Sequence, residues 1–191
     1  VPLLMRACGI GPSALTAFEA RVRQLQRLGL LRDEGVRAAG RLDYGILELA
    51  ALATAMRLMA AFMVPSLAAR HVTERWGTLV PALLAGARTA LPKDYVARRP
   101  LEEGTIIVIQ GSALADMGQR GQHGERYVGD IGDAVVSDRT ALSAAMKSLG
   151  GAAILLDTAT YMPAIVNGFA QATMATVSEL SHELDRLRFS E

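Results

Sequence analysis

Cysteine is almost missing from this chain of 191 residues, which carries Cys8 alone. One thiol cannot build an internal disulfide framework and leaves no Cys-rich zinc site, which fits a reducing cytoplasm. Cys8 is expected to pack as a small hydrophobe and not to act as a reactive thiol. Long apolar runs are missing too. Arg57, Pro65, Arg70 and His71 interrupt the most apolar region before it reaches the roughly 20 residues of a membrane span. No stretch reads as a secretory signal, and no internal repeat or low-complexity tract is visible. Histidine is limited to His71, His123 and His182, too scattered to form a ligand set, so no metal or cofactor is expected.

Catalytic motifs are also lacking. Residues 118–124 (GQRGQHG) could cradle an anion on backbone amides, but without the Gly-Lys-Ser/Thr ending of a P-loop they read as a loop. Ser112 follows Gly111 without the Gly-x-Ser-x-Gly elbow of a nucleophile. Asp130, Asp133, Asp138 and Asp157 are expected at turns and on solvated faces, not around a cation or as an acid and base pair. A non-enzymatic role follows as the expectation.

The chain is 51% hydrophobic and 20% charged, which excludes a disordered polymer and supplies core for one large domain or two small ones. Its net charge of +1 hides a polarity. Residues 1–100 hold 14 Lys and Arg against 7 Asp and Glu, whereas residues 101–191 hold 6 against 12. The first half suits a polyanion and the second does not.

Residues 14–28 place Leu15, Phe18, Val22, Leu25 and Leu28 at threes and fours, the face of an amphipathic helix, with Ser13 expected as its N-cap. The other side offers Arg21, Arg23, Gln24, Gln26 and Arg27. Arg can bond guanine, and Gln adenine, bidentately in the major groove. Gly29 stops the helix, and Leu30 and Leu31 return to the core. Residues 32–41 then bring three arginines and two glycines, suited to a hairpin whose arginines reach phosphates or the minor groove. Leu42 and Tyr44 would anchor its returning strand.

Beyond Tyr44 a helix with a broad apolar stripe is expected over residues 46–63, broken at 64–66. A second follows over 66–76, with Leu67, Val72 and Trp76 packed beneath. A third covers 79–91, and residues 92–104 read as a linker. The pattern then changes to strands at 105–110, 126–136 and 152–161, with a helix over 140–149. A long final helix over 163–189 carries Val166, Phe169, Thr173, Val177, Leu180, Leu184 and Leu187 near a heptad seam, suited equally to packing on its own sheet and to dimerisation. The expected class is α+β: a mainly helical winged helix-turn-helix domain over 1–91, then a small α/β domain over 105–191 for dimerisation, sensing or partner contact.

Residues 10–80 resemble the DNA-binding domain of MerR-family regulators. The run 22–31 (VRQLQRLGLL) is similar to that family's recognition helix leading into Gly-Leu-Leu. Residues 40–44 (GRLDY) are similar to the end of its wing, and 49–63 with 66–76 to its paired helices. Gln24 and Leu25 stand where the family has aromatics, and the reading helix could start near Ser13 or near Glu19. The resemblance implies base or phosphate contacts from Arg21, Arg23, Gln24 and Arg27, and phosphate contacts from Arg37 and Arg41. Tyr44 would stack at the base of the wing or touch a phosphate. It further implies double-stranded DNA as partner, a homodimer on a pseudo-palindromic promoter, and a cytoplasmic, nucleoid-associated transcription regulator without the metal-binding cysteines of its mercury and copper sensors. The acidic half could meet RNA polymerase or another protein. The alternatives are a phage-type architectural or packaging protein such as an excisionase or small terminase subunit, a protein-interaction regulator without DNA binding, and an enzyme on the C-terminal half.

Overall fold

The computed structural model describes residues 2–30, 44–97, 104–110, 122–123, 126–127, 129–150 and 152–188. Packing divides the chain into two compact units. One comprises Val1–Trp76 with Ser112–Ile131, the other Gly77–Gly111 with Gly132–Glu191. The first therefore ends inside the region expected as one N-terminal domain, and it recovers residues 112–131 from beyond the expected 92–104 linker.

The first unit is helical. Helices α1 (Pro2–Ala7), α2 (Leu15–Arg27), α3 (Ile46–Ala60) and α4 (Pro65–Glu74) pack on one another, and a two-stranded hairpin of β2 (Gln122–His123) and β3 (Arg126–Tyr127) rests on α4. Residues 2–7 are helical because Leu4, Met5 and Ala7 gain burial on one side. The centre is α3. Where a stripe was expected, this helix is buried nearly all round, from Ile46 and Leu49 through Ala50, Ala51, Leu52 and Ala53 to Leu58. Its alanines let neighbouring helices approach, as expected for a helix that is apolar on every side.

The helix ends share one device. After α1, the Ile10 N–H reaches the Met5 carbonyl at 2.9 Å and the Gly9 N–H reaches Arg6 at 3.0 Å. After α2, Leu30 reaches Leu25 and Gly29 reaches Gln26, both at 3.1 Å. These are paired Schellman bonds, and Gly9 (φ +70°) and Gly29 (φ +99°) adopt the left-handed conformation they need at little steric cost. Leu25 and Leu30, on either side of the second closure, are buried, each contributing about 2 kcal/mol by its transfer from water.

After α3 the same bonds form, Met63 to Leu58 at 3.1 Å and Phe62 to Met59 at 3.0 Å, but the left-handed position is held by Phe62 at φ 67°. A side chain there costs about 1–2 kcal/mol, and a ring that is 83% exposed regains little of it. Phe62→Gly is expected to stabilise the unit by about 1 kcal/mol, raising Tm by roughly 2–4 °C. A lower Tm in thermal denaturation would contradict this account of the turn. Val64 and Pro65 then start α4, with proline in the first turn. Leu67 and Val72 are buried as expected, whereas Trp76 is half-buried and begins α5.

The second unit holds α5 (Trp76–Arg88, entering at Gly77), α6 (Lys93–Ala97), β1 (Ile106–Gln110), β4 (Ala134–Ser137), α7 (Leu142–Ser148), β5 (Ala153–Asp157), α8 (Met162–Thr173) and α9 (Val177–Arg188). The expected linker thus carries a short helix at 93–97. The expected strand over 126–136 is two separate strands, β3 and β4, in different units. The sheet has the order β4-β1-β5 and both pairings are antiparallel, so the class is α+β. One face, with Ile106, Val108 and Val135, is covered by Leu142, Ala145, Met146 and Leu149 of α7 and its end. The other carries Ile107, Ile109, Ile154 and Leu156, all buried.

The long final helix is broken. Met174 takes a left-handed conformation at φ 56°, and α9 starts afresh from Thr176. The Thr176 N–H donates to the Glu179 carboxylate at 2.7 Å while the Glu179 N–H reaches the Thr176 hydroxyl at 3.3 Å, a reciprocal capping box. These bonds hold the Glu179 carboxyl below its ordinary range. The heptad seam is divided accordingly: Val166 lies on α8, Leu180 and Leu184 are buried on α9, and Thr173 and Val177 at the break are exposed.

Candidate nucleic-acid interface

Helix α2 is positioned by its inner face. Phe18, Val22 and Leu25, at spacings of four and three, are buried at 8% exposure or less. Burying that side fixes which residues face outward, because positions 16, 20, 23 and 27 share the opposite stripe of a 3.6-residue helix. These are Thr16, Ala20, Arg23 and Arg27, all exposed. Two small residues followed by two arginines let a polyanion approach the helix closely at one end and meet guanidinium groups at the other.

The remaining predicted residues of α2 behave differently. Arg21 is exposed and donates through Nη1 to the Gln24 side-chain oxygen at 2.5 Å. Gln24 is half-buried, so in this arrangement its acceptor is occupied by its own helix. The expected Ser13 cap is corrected as well. Ser13 sits in a short 3-10 turn, Pro12–Ala14, and Ala14 precedes α2 without a side-chain cap bond. Of the two candidate starts, near Ser13 or near Glu19, the helix begins at Leu15, close to the first.

Tyr44 is brought to the same helix. Gln26 donates its amide to the Tyr44 hydroxyl, and burial pushes the phenol above its ordinary range. Gln26 thus acts as a tie between α2 and the residue that returns from the segment 31–43. Its i+18 partner could not be found from spacing along the chain. Arg37, Arg41 and the whole expected wing over 32–41 lie outside the described residues, as do Leu31 and Leu42.

Helix α1 was also missed. In α1 the C-terminal carbonyl of Ala7 accepts from Arg57 of α3 at 3.1 Å, which ties the start of the chain to the central helix. Burial pushes the adjacent Cys8 thiol up against the opposing effect of Arg57, which keeps it in the neutral form that packs. The signal in the sequence was the pair of glycine stops, Gly9 and Gly29, each ending an apolar-faced segment.

Asp138 accepts from the Thr140 hydroxyl, the Thr140 N–H and the Ala141 N–H at 2.7 Å, which holds its carboxyl below the ordinary range, and Asp157 accepts from Thr105 at 3.0 Å and Arg139 at 3.4 Å. Asp130 belongs to the other unit. Among the described residues no three His, Cys, Asp or Glu side chains group as metal ligands, and no helix is long and apolar enough to cross a membrane. Ser112 and residues 118–121 lie outside the described residues. The charge polarity also weakens when counted by structural unit. The helical unit holds 12 Lys and Arg against 9 Asp and Glu, the sheet unit 8 against 10, since residues 112–131 carry Asp116, Glu125 and Asp130 to the former.

No family model, curated protein or solved structure matches the chain.

Proposed function

We propose that this protein is a sequence-specific DNA-binding transcription regulator of the MerR-like type that reads the major groove with α2. The observation that carries the reading is the outward stripe of α2, where Arg23 and Arg27 stand one turn apart behind Thr16 and Ala20 on a helix whose other face is buried. Arg23 and Arg27 are the base or phosphate contacts, and Arg21 and Gln24 act as a pair at the flank of the groove. Tyr44, held by Gln26, supports the base of the wing, whose Arg37 and Arg41 meet phosphates. A homodimer on a pseudo-palindromic site, in the cytoplasm at the nucleoid, completes the proposal. No catalytic role is proposed, and with only a small negative excess the sheet unit is not specially suited to a basic partner.

The test is selection of duplexes from a random-sequence pool by the full chain, followed by fluorescence anisotropy on the enriched sequence. Loss of one bidentate guanine contact costs about 1–3 kcal/mol. Arg23→Glu adds repulsion to that loss, so affinity should fall at least about tenfold with an unchanged circular dichroism spectrum. With about 6 phosphate contacts, log affinity should fall against log salt with a slope near −5. Full retention of binding by Arg23→Glu, or a flat salt dependence, would overturn the reading. Genomic footprints at phage attachment or packaging sites instead of promoters would move it to DNA architecture.

A further inference from the structure

We propose that the outer edge of β5 is a self-association surface on which a second copy of this chain adds its own β5, antiparallel, so that two three-stranded sheets join into one of six strands. The inference does not rest on DNA binding. Strand β1 is central in the sheet, and among the described residues no strand pairs with β5 on its other side.

The hydrogen-bond register says which groups that edge presents. The Thr158 N–H donates to the Thr105 carbonyl at 2.8 Å, in line with the pairing of Ile107 with Leu156 and Ile109 with Ile154. In an antiparallel ladder, bonded and non-bonded pairs alternate. Ile154 and Leu156 therefore turn their backbone groups towards β1, while Ala153, Leu155 and Asp157 turn theirs outward. The middle one of the three is Leu155.

Three features select a second copy as the occupant. First, the strand is self-complementary about Leu155. An antiparallel copy centred there sets Leu155 opposite Leu155, Ile154 opposite Leu156 and Ala153 opposite Asp157 about a two-fold axis between the strands; the two Leu155 residues exchange both backbone bonds and each Asp157 N–H meets an Ala153 carbonyl, while the Asp157 carbonyl already accepts from the Thr160 hydroxyl at 2.7 Å. Second, charges do not collide. Each Asp157 faces an uncharged Ala153, and its carboxylate is already engaged by Thr105 and Arg139 of its own chain. Third, Leu155 is 43% exposed on the α7 side of the sheet, because α7 lies against β1 and β4. Pairing would set two such leucines side by side, in the range where cross-strand side chains stabilise each other.

The two edges of the sheet differ in the way this requires. Edge strands are ordinarily guarded by charge, proline or shortness. Strand β4 has four residues and is flanked by Asp133, Asp138 and Arg139. Strand β5 (AILLD) has five, with Asp157 at its end as the one charge and no lysine, proline or glycine among them.

The experiment uses the full chain without DNA. Sedimentation velocity over a concentration series should show a monomer–dimer equilibrium, and Leu155→Lys should weaken it by tenfold or more with unchanged circular dichroism. In a Cys8→Ala background, Leu155→Cys should be joined into a dimer by a short bismaleimide. Val177→Cys, equally exposed but on α9, should not. A wild-type monomer throughout the series overturns the proposal. So does a dimer that survives Leu155→Lys, or equal cross-linking of the two cysteine variants, each of which would place the contact elsewhere.

Discussion

Lowering the pH from 6.5 to 4 is expected to remove on the order of 3 kcal/mol from the stability of this protein through one residue, His71, and His71→Leu is expected to remove that dependence. His71 lies on α4 with a relative exposure of 0%, and among the described residues neither Nδ1 nor Nε2 has a hydrogen-bond partner. Burial is the main reason its pKa is lowered from 6.5 to about 4. Arg75 and Arg70 push the same way, with Glu74 opposing. The unfolded chain therefore takes up a proton on His71 at a pH where the folded chain refuses it. Stability is complete above 6.5, falls as pH drops from 6.5 to about 4, and is flat in this group below that.

The substitution isolates the effect, because Glu179, Glu183 and Asp138, whose carboxyls are held below their ordinary range in the folded chain, titrate alike in both proteins. Leucine has a similar bulk and forfeits no hydrogen bond to the described residues, so the variant should match or exceed the wild type above pH 6.5. Urea denaturation of both across the window is the measurement. Parallel curves for the two proteins would show that the imidazole is protonated in the fold or hydrated within it.

What the sequence disclosed and what it withheld divide along physical lines. The 3.6-residue period of Phe18, Val22 and Leu25 fixed both α2 and its outward arginines, because burial of one stripe decides the other. The β-branched run at 106–109 marked the central strand, where both faces are buried and alternation disappears. The break after α8 was legible too, in the Thr-x-x-Glu box at 176–179, but the leucine spacing on either side suggested one continuous seam. Recruitment of residues 112–131 to the helical unit could not be read, since it depends on contacts far apart in sequence. One is the bond from Arg70 on α4 to the Gly129 carbonyl. Nor could the pairing of Gln26 with Tyr44 or of Arg21 with Gln24, which depends on rotamers and not on residue type.

The second large effect concerns a residue that breaks a local rule. Gly86 lies inside α5, where alanine is favoured by roughly 0.5–1 kcal/mol. A sequence-only argument would therefore rank Gly86→Ala as stabilising. Yet a Cβ there would stand 2.4 Å from the Thr158 hydroxyl oxygen and 2.7 Å from the Thr158 carbonyl carbon. The neighbour cannot yield. Thr158 is fully buried, its hydroxyl lies 2.6 Å from the Ala82 carbonyl and 2.9 Å from that of Thr105, and its N–H is bound to Thr105. Relief would have to move the backbone at the end of β5 away from α5, breaking the bond that joins this helix to the sheet. Overpacking of this kind costs about 1–3 kcal/mol or more, and loss of a buried hydrogen bond adds about 1–3 kcal/mol. Gly86→Ala should therefore destabilise the chain by about 3 kcal/mol in urea denaturation, reversing the sign that helix propensity assigns. Gly86→Ala combined with Thr158→Ser, which deletes the methyl group and keeps the hydroxyl, should recover only a small part, because the Thr158 backbone remains in the way. A stabilised Gly86→Ala protein would mean that α5 and the end of β5 are not held this closely.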